Sequence, residues 1–116
     1  MKKPTVYLSG PMTGWENFNK DWFDAEERKF KNLGWRVLNP HSFMGESFII
    51  KMADRYPKLS WSIALLRDLS VLVVGDLILD VFCVYAHRKY KKSYGAMIEV
   101  AVADKFGIPI VLEEIQ

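Results

Sequence analysis

Apolar positions along the chain fall alternately into short continuous runs and helical spacings. Thr5-Val6-Tyr7-Leu8 is a β-favouring run closed by Ser9-Gly10-Pro11, which predicts a buried first strand entering a tight loop through Met12-Thr13-Gly14. From about Asn19 to Leu33, the residues Trp22, Phe23, Phe30 and Leu33 recur at near-helical spacing, with Asn17 or Asn19 as cap and Gly34 as stop. Trp35-Arg36-Val37-Leu38 then reads as a second strand ending at Asn39-Pro40. Strand, helix and strand in this order point to a right-handed parallel crossover.

The stretch from His41 to Leu59 is irregular, with an apolar patch at Phe48-Ile49-Ile50 that fits a short helix or a lid. Ser60 is placed to cap a helix of about ten residues carrying Ile63, Leu66 and Leu69. Leu77 to Val84 then supplies a central strand, and Val71 to Val74 either extends the helix or forms a strand of its own. A basic segment, His87 to Lys92, leads into a helix from about Ala96 to Phe106 stopped by Gly107, and Ile108 to Leu112 closes the pattern as a last strand. The expected fold is a single α/β domain over 1–116, a Rossmann-like (flavodoxin-like) parallel sheet of four or five strands with helices on both faces.

Composition narrows what this fold does. With 116 residues, half of them hydrophobic and 14% aromatic, the chain holds enough apolar material for one core and for order. Sixteen basic against fourteen acidic residues leave +2, which gives no support to a nucleic-acid partner. The single cysteine, Cys83, excludes an internal disulfide framework and a multi-cysteine metal site, and reads as a buried thiol. No export signal follows the opening lysines. The run from Val71 to Tyr85 is interrupted by Gly75, Asp76 and Asp80 and falls short of the ~20 residues of a membrane span. The expectation is a soluble, cytoplasmic protein without a membrane partner.

In a parallel sheet, ligands sit beyond the carboxyl ends of the strands at the switch point, so the loops after the strands are where chemistry is sought. Ser9-Gly10-Pro11-Met12-Thr13-Gly14 offers glycines, hydroxyls and backbone N–H groups to a ligand, though its composition also suits a simple turn. It matches neither a P-loop nor the dinucleotide fingerprint. Ser93-Tyr94-Gly95-Ala96 stands at the start of the last helix, with Lys91 and Lys92 adjacent, where an anion fits; alternatively Ser93 is only a cap and the lysines a solvated face. Glu99, among Met97, Ile98, Val100, Ala101 and Val102, is either a functional carboxylate or a surface glutamate. Asp68 either pairs with Arg67 or forms the second carboxylate of an acid/base pair. Asp76 reads as a turn residue and Asp80 as facing a loop or a partner. His41 and His87 lack a metal or triad spacing and read as polar surface residues.

Val6-Tyr7-Leu8-Ser9-Gly10-Pro11-Met12-Thr13-Gly14, Gly34-Trp35-Arg36-Val37-Leu38-Asn39-Pro40, Arg67-Asp68-Leu69 and Ser93-Tyr94-Gly95-Ala96-Met97-Ile98-Glu99 together resemble the nucleoside 2-deoxyribosyltransferase-like superfamily, in order and over almost the whole chain. The chain looks most like a small branch with a YxSGPMTG opening. The resemblance implies that Glu99 is the nucleophile that attacks C1′ of the sugar, that Asp68 engages the leaving base, and that Tyr7 orients the nucleophile. Six residues before the nucleophile the chain carries Ser93, as do the similar 2′-deoxynucleoside 5′-monophosphate N-hydrolases, where transferases acting on free nucleosides carry an aspartate.

The expected activity is therefore cleavage of, or transfer across, the N-glycosidic bond of a (deoxy)nucleoside 5′-monophosphate. Candidate substrate contacts are Ser9, Gly10, Pro11, Met12, Thr13, Gly14 and Asn17 in the first loop, and Lys92, Ser93 and Gly95 at the last helix. No cofactor or metal is implied. The alternative is a module that binds or sequesters a nucleotide without turnover, and a third reading makes Arg88 to Lys92 a nucleic-acid contact. Four tryptophans in so short a chain suggest apolar surface for an interface, and a homodimer or higher homo-oligomer is expected.

Overall fold

Every residue of the first strand, β1 (Thr5–Ser9), is buried, as a central strand covered on both faces requires. The computed structural model describes residues 3–12, 14–42, 55 and 60–114. Within them β1 is followed by α1 (Lys20–Asn32), β2 (Arg36–Leu38), α2 (Ser60–Leu79), β3 (Val81–Ala86), α3 (Tyr94–Lys105) and β4 (Ile110–Leu112). The four strands form one parallel sheet in the order β2-β1-β3-β4, with Val6 opposite Val37, Tyr7 opposite Val84 and Tyr85 opposite Val111. This is the α/β fold the sequence predicts, at the smaller of the two strand counts.

The period of two in β1 divides the core. Val6 and Leu8 face α1, packing with Cys83 against Phe23 and Phe30, with Trp22, Trp35 and Tyr85 around them. Tyr7 faces the other layer with Val81 and Val84, against Val71 and Leu72 of α2 and Ala103 of α3. Cys83 is buried as expected, and burial pushes its thiol up from the ordinary value. Gly34 (φ +89°) and Gly107 (φ +75°) follow α1 and α3 in the left-handed conformation that ends a helix, and glycine adopts it without the Cβ penalty.

Two boundaries differ from the sequence reading by more than two residues. The helix beginning at Ser60 does not stop near Leu69 but runs through Val71–Val74 to Leu79, so the central strand begins at Val81 rather than Leu77. Val71 and Leu72 lie under the sheet, and that burial outweighs the strand preference of a valine-rich run. Asp76 is accordingly helical, although it organises the turn that follows. Its carbonyl accepts from Asp80 N at 3.0 Å, its carboxylate accepts from Val81 N at 3.1 Å, and Asp80 turns the chain at φ +56°. At the start of α1, Asn19 holds the cap position but has φ +63° and makes no side-chain capping bond. The predicted lid patch at 48–50 lies outside the described residues. Among the described residues, no helix is long and apolar enough to cross a membrane.

Candidate functional site

Tyr7, Asp68 and Glu99 come from three elements and meet beneath the carboxyl end of β1. The Tyr7 side chain leaves the strand toward α2 and α3, and its hydroxyl donates to Glu99 Oε2 and lies 3.1 Å from the backbone carbonyl oxygen of Asp68. Two residues on, where the strand period returns to the same face, Ser9 Oγ donates to Glu99 Oε1 at 3.4 Å. Both carboxylate oxygens thus have a hydroxyl donor, and Glu99 is only 3% exposed. Asp68 is also buried, on the inner face of α2. A carboxylate held in an apolar wall by two hydroxyls is oriented at a cost in desolvation, an arrangement suited to a reaction that uses its charge.

The start of α3 lies five residues before Glu99. Ser93 is its N-cap, with Oγ accepting from Ala96 N at 3.3 Å, and Met97 N donates to the Ser93 carbonyl at 2.9 Å. Lys92 ends a short turn, Tyr90–Lys92, is exposed and makes no ion pair among the described residues. Gly95 lies in the first turn of the helix. The cap expected at Ser93 is present, and Glu99 is a buried residue rather than a surface one.

The first loop divides in two. Gly10 and Pro11 are buried, and a methyl added at Gly10 would stand 3.0 Å from His87 Cβ and 3.1 Å from the Trp22 ring, so only glycine fits without displacing them. Asn17 is exposed, at the start of three successive residues in the left-handed region, Asn17, Phe18 and Asn19. Such a run in non-glycine residues is uncommon. It is tied down by His41, whose Nε2 donates to the Phe18 carbonyl at 2.9 Å. Met12 is half-buried and Gly14 exposed, while Thr13 lies outside the described residues.

His87 corrects the sequence reading most directly. It is 2% exposed rather than a surface residue, and it stands one residue past β3 with its N–H on the Ser9 carbonyl at 2.8 Å. Its Nδ1 accepts from Lys89 N at 2.9 Å, and its ring meets Trp15 and Trp22 edge-on at 5.2 and 4.7 Å. Burial lowers its pKa from the ordinary value, with Arg88 and Lys89 adding to the shift and Glu113 opposing it. The residue lies at the switch point between β1 and β3, on the α1 side of the sheet and opposite Glu99. The signal available in the sequence was its position directly after Val81 to Ala86, which the early strand boundary concealed.

A cavity of about 430 Å3 opens on the α1 side between Lys29, Tyr85, Arg88 and Glu113, and none of Tyr7, Asp68 or Glu99 lines it. Glu113 there is held below its ordinary value. Burial pushes it up, but bonds from Arg88 N and the Trp22 indole, with the charges of His87 and Arg88, outweigh that. Among the described residues, no three His, Cys, Asp or Glu side chains are grouped to hold a metal.

A family model described as a domain of unknown function (DUF4406) matches residues 4–112. No curated protein and no solved structure matches the chain.

Proposed function

The chain belongs to the DUF4406 family, and from the site it carries we propose that it cleaves, or transfers across, the N-glycosidic bond of a (deoxy)nucleoside 5′-monophosphate. The observation that carries this reading is the Glu99 carboxylate, buried at the end of the central strand with a hydroxyl on each oxygen and Asp68 on the adjoining helix. One Glu99 oxygen attacks C1′, the C1′–N bond breaks, and its electron pair leaves with the base, which Asp68 protonates. The product is a glycosyl ester that water, or a second base, resolves at C1′. An anionic carboxylate stabilises the oxocarbenium-like transition state and divides one displacement into two, as in retaining glycosidases.

Tyr7 has a defined part in this sequence. Its hydroxyl has one hydrogen and two acceptors, Glu99 Oε2 and the Asp68 carbonyl. Ester formation consumes the charge of Glu99 and weakens that bond, and the hydrogen then turns to the carbonyl rather than being left unpaired. A nucleotide phosphate at the α3 N-terminus is supported by the Ser93 cap, whose hydroxyl hydrogen is not used in the Ala96 bond, and by Lys92 beside it. Ser93 is also the residue that the similar monophosphate N-hydrolases carry at this spacing.

The test is chromatographic detection of free base from a panel of ribo- and deoxyribonucleoside 5′-monophosphates, with wild type and Glu99→Ala, with and without an acceptor base. Release that disappears in the variant supports the reading and names the base. Release unchanged in Glu99→Ala overturns it. Binding of a nucleotide with no release assigns the fold instead to a non-catalytic nucleotide-binding module.

A further inference from the structure

β1 ends on Ser9, whose main chain is held by the neighbouring strand. Ser9 stands opposite Ala86 in the parallel ladder, and its carbonyl accepts from His87 N at 2.8 Å. Gly10 follows, where a Cβ would stand 3.0 Å from His87 and 3.1 Å from Trp22, so the path out of the strand is fixed as well. The Ser9 side chain is fully buried and has a single carbon–carbon rotation. A hydroxyl mounted on a strand in this way is placed more precisely than one on a loop. It serves Glu99 Oε1 at 3.4 Å, long for a hydrogen bond, while Tyr7 serves Oε2.

We propose that Oε1 is the oxygen that attacks C1′, and that Ser9 is the donor that helps it leave again when the glycosyl ester is resolved. The inference rests on the glycosidase reading of this site and assigns its second step. Attack through Oε1 makes Oε2 the ester carbonyl oxygen, which still accepts from Tyr7, and makes Oε1 the bridging oxygen, a poor acceptor. The long bond from Ser9 is then the one given up, and little is lost with it. Resolution reverses the change. The oxygen of water attacks C1′, the C1′–Oε1 bond breaks with its electron pair returning to Glu99, and the water proton passes to the Asp68 carboxylate. Negative charge develops on Oε1 in that transition state, and a hydroxyl already aimed there stabilises it. In the first step the charge on Oε1 is disappearing, so the same hydroxyl does nothing to speed attack. Ser9 therefore acts on resolution of the ester and not on release of the base.

Rapid-mixing base release and intact-protein mass spectrometry test it, with the panel of ribo- and deoxyribonucleoside 5′-monophosphates as probe and circular dichroism to confirm folding. In Ser9→Ala the first equivalent of base is expected within about threefold of the wild-type rate, while steady-state turnover falls roughly tenfold. The variant chain gains the mass of one sugar phosphate, more than wild type does, and the gain disappears when Glu99→Ala is added. Ser9→Cys keeps the shape of the side chain with a weaker donor and falls between the two; it decides by the same adduct if Ser9→Ala does not fold. Base release by wild type with no more adduct in the variant than in wild type overturns this inference alone, whether turnover is unchanged or falls together with the first equivalent. A wild type that releases no base overturns the glycosidase reading, and this inference with it.

Discussion

At the scale of single residues, Tyr7 and His87 show how one strand period separates two environments. Tyr7 points to the layer that holds Glu99, and Tyr7→Phe removes a hydroxyl donor from a buried carboxylate while leaving the ring packed among Val71, Leu72 and Val84. Because that bond fixes the direction in which the carboxylate meets C1′, the expected loss under the proposed mechanism is about 2 kcal/mol, roughly thirtyfold in turnover with little change in KM, read in the base-release assay. Under the proposed mechanism, in which Asp68 protonates the leaving base, Asp68→Asn is expected to lower turnover by roughly 10²–10⁴-fold, since an amide does not supply that proton. His87, on the other side, is a stability element. Burial holds its folded-state pKa below the ordinary 6.5, so the unfolded chain takes up the proton first as pH falls. Its contribution is complete above about pH 6.5 and declines below that, by at most about 1.4 kcal/mol per pH unit, until the lowered folded value is reached. Denaturant midpoints of wild type at pH 7.5 and 5.5, compared with His87→Gln, check this: the variant should lose part of the decline. Tyr7, Asp68, Ser93 and Glu99 were readable from motifs, whereas the burial of His87 was not, because one strand boundary decided it.

At the scale of elements, the two glycine stops and the Ser93 cap are local devices, and each sits where the sequence puts it. Ser93→Ala is expected to cost about 1 kcal/mol by leaving Ala96 N without its side-chain acceptor, seen as a lower thermal midpoint. The turn before α1 is the opposite case. Asn17, Phe18 and Asn19 are all left-handed, and Phe18, 60% exposed, has little packing to offset the conformation. Phe18→Gly should raise stability by up to about 1 kcal/mol, or about 4 °C in melting temperature, because glycine reaches this region without a Cβ clash. The helix that begins at Ser60 could not be bounded from propensity. Its valine-rich half favours a strand locally, and only the sheet it lies beneath and the turn made by Asp76 and Asp80 decide that it is helical.

At the scale of the whole molecule, one parallel sheet joins the helix that carries Asp68 to the helix that carries Glu99, and both acidic residues are buried against it. By itself the sequence determined the α/β class, the alternation of strands and helices, the helix stops and the identity of the acidic, aromatic and hydroxyl residues available for chemistry. These follow from hydrophobic period, turn composition and residue type, which act over a few neighbouring positions. Only the tertiary structure decided the strand order β2-β1-β3-β4, the meeting of Tyr7, Ser9, Asp68 and Glu99, the burial of His87 between two tryptophans, and the helical state of Val71 to Val74. Each of these depends on residues tens of positions apart brought into contact, and free energy gained by burial across that distance outweighs the local preference of any one segment.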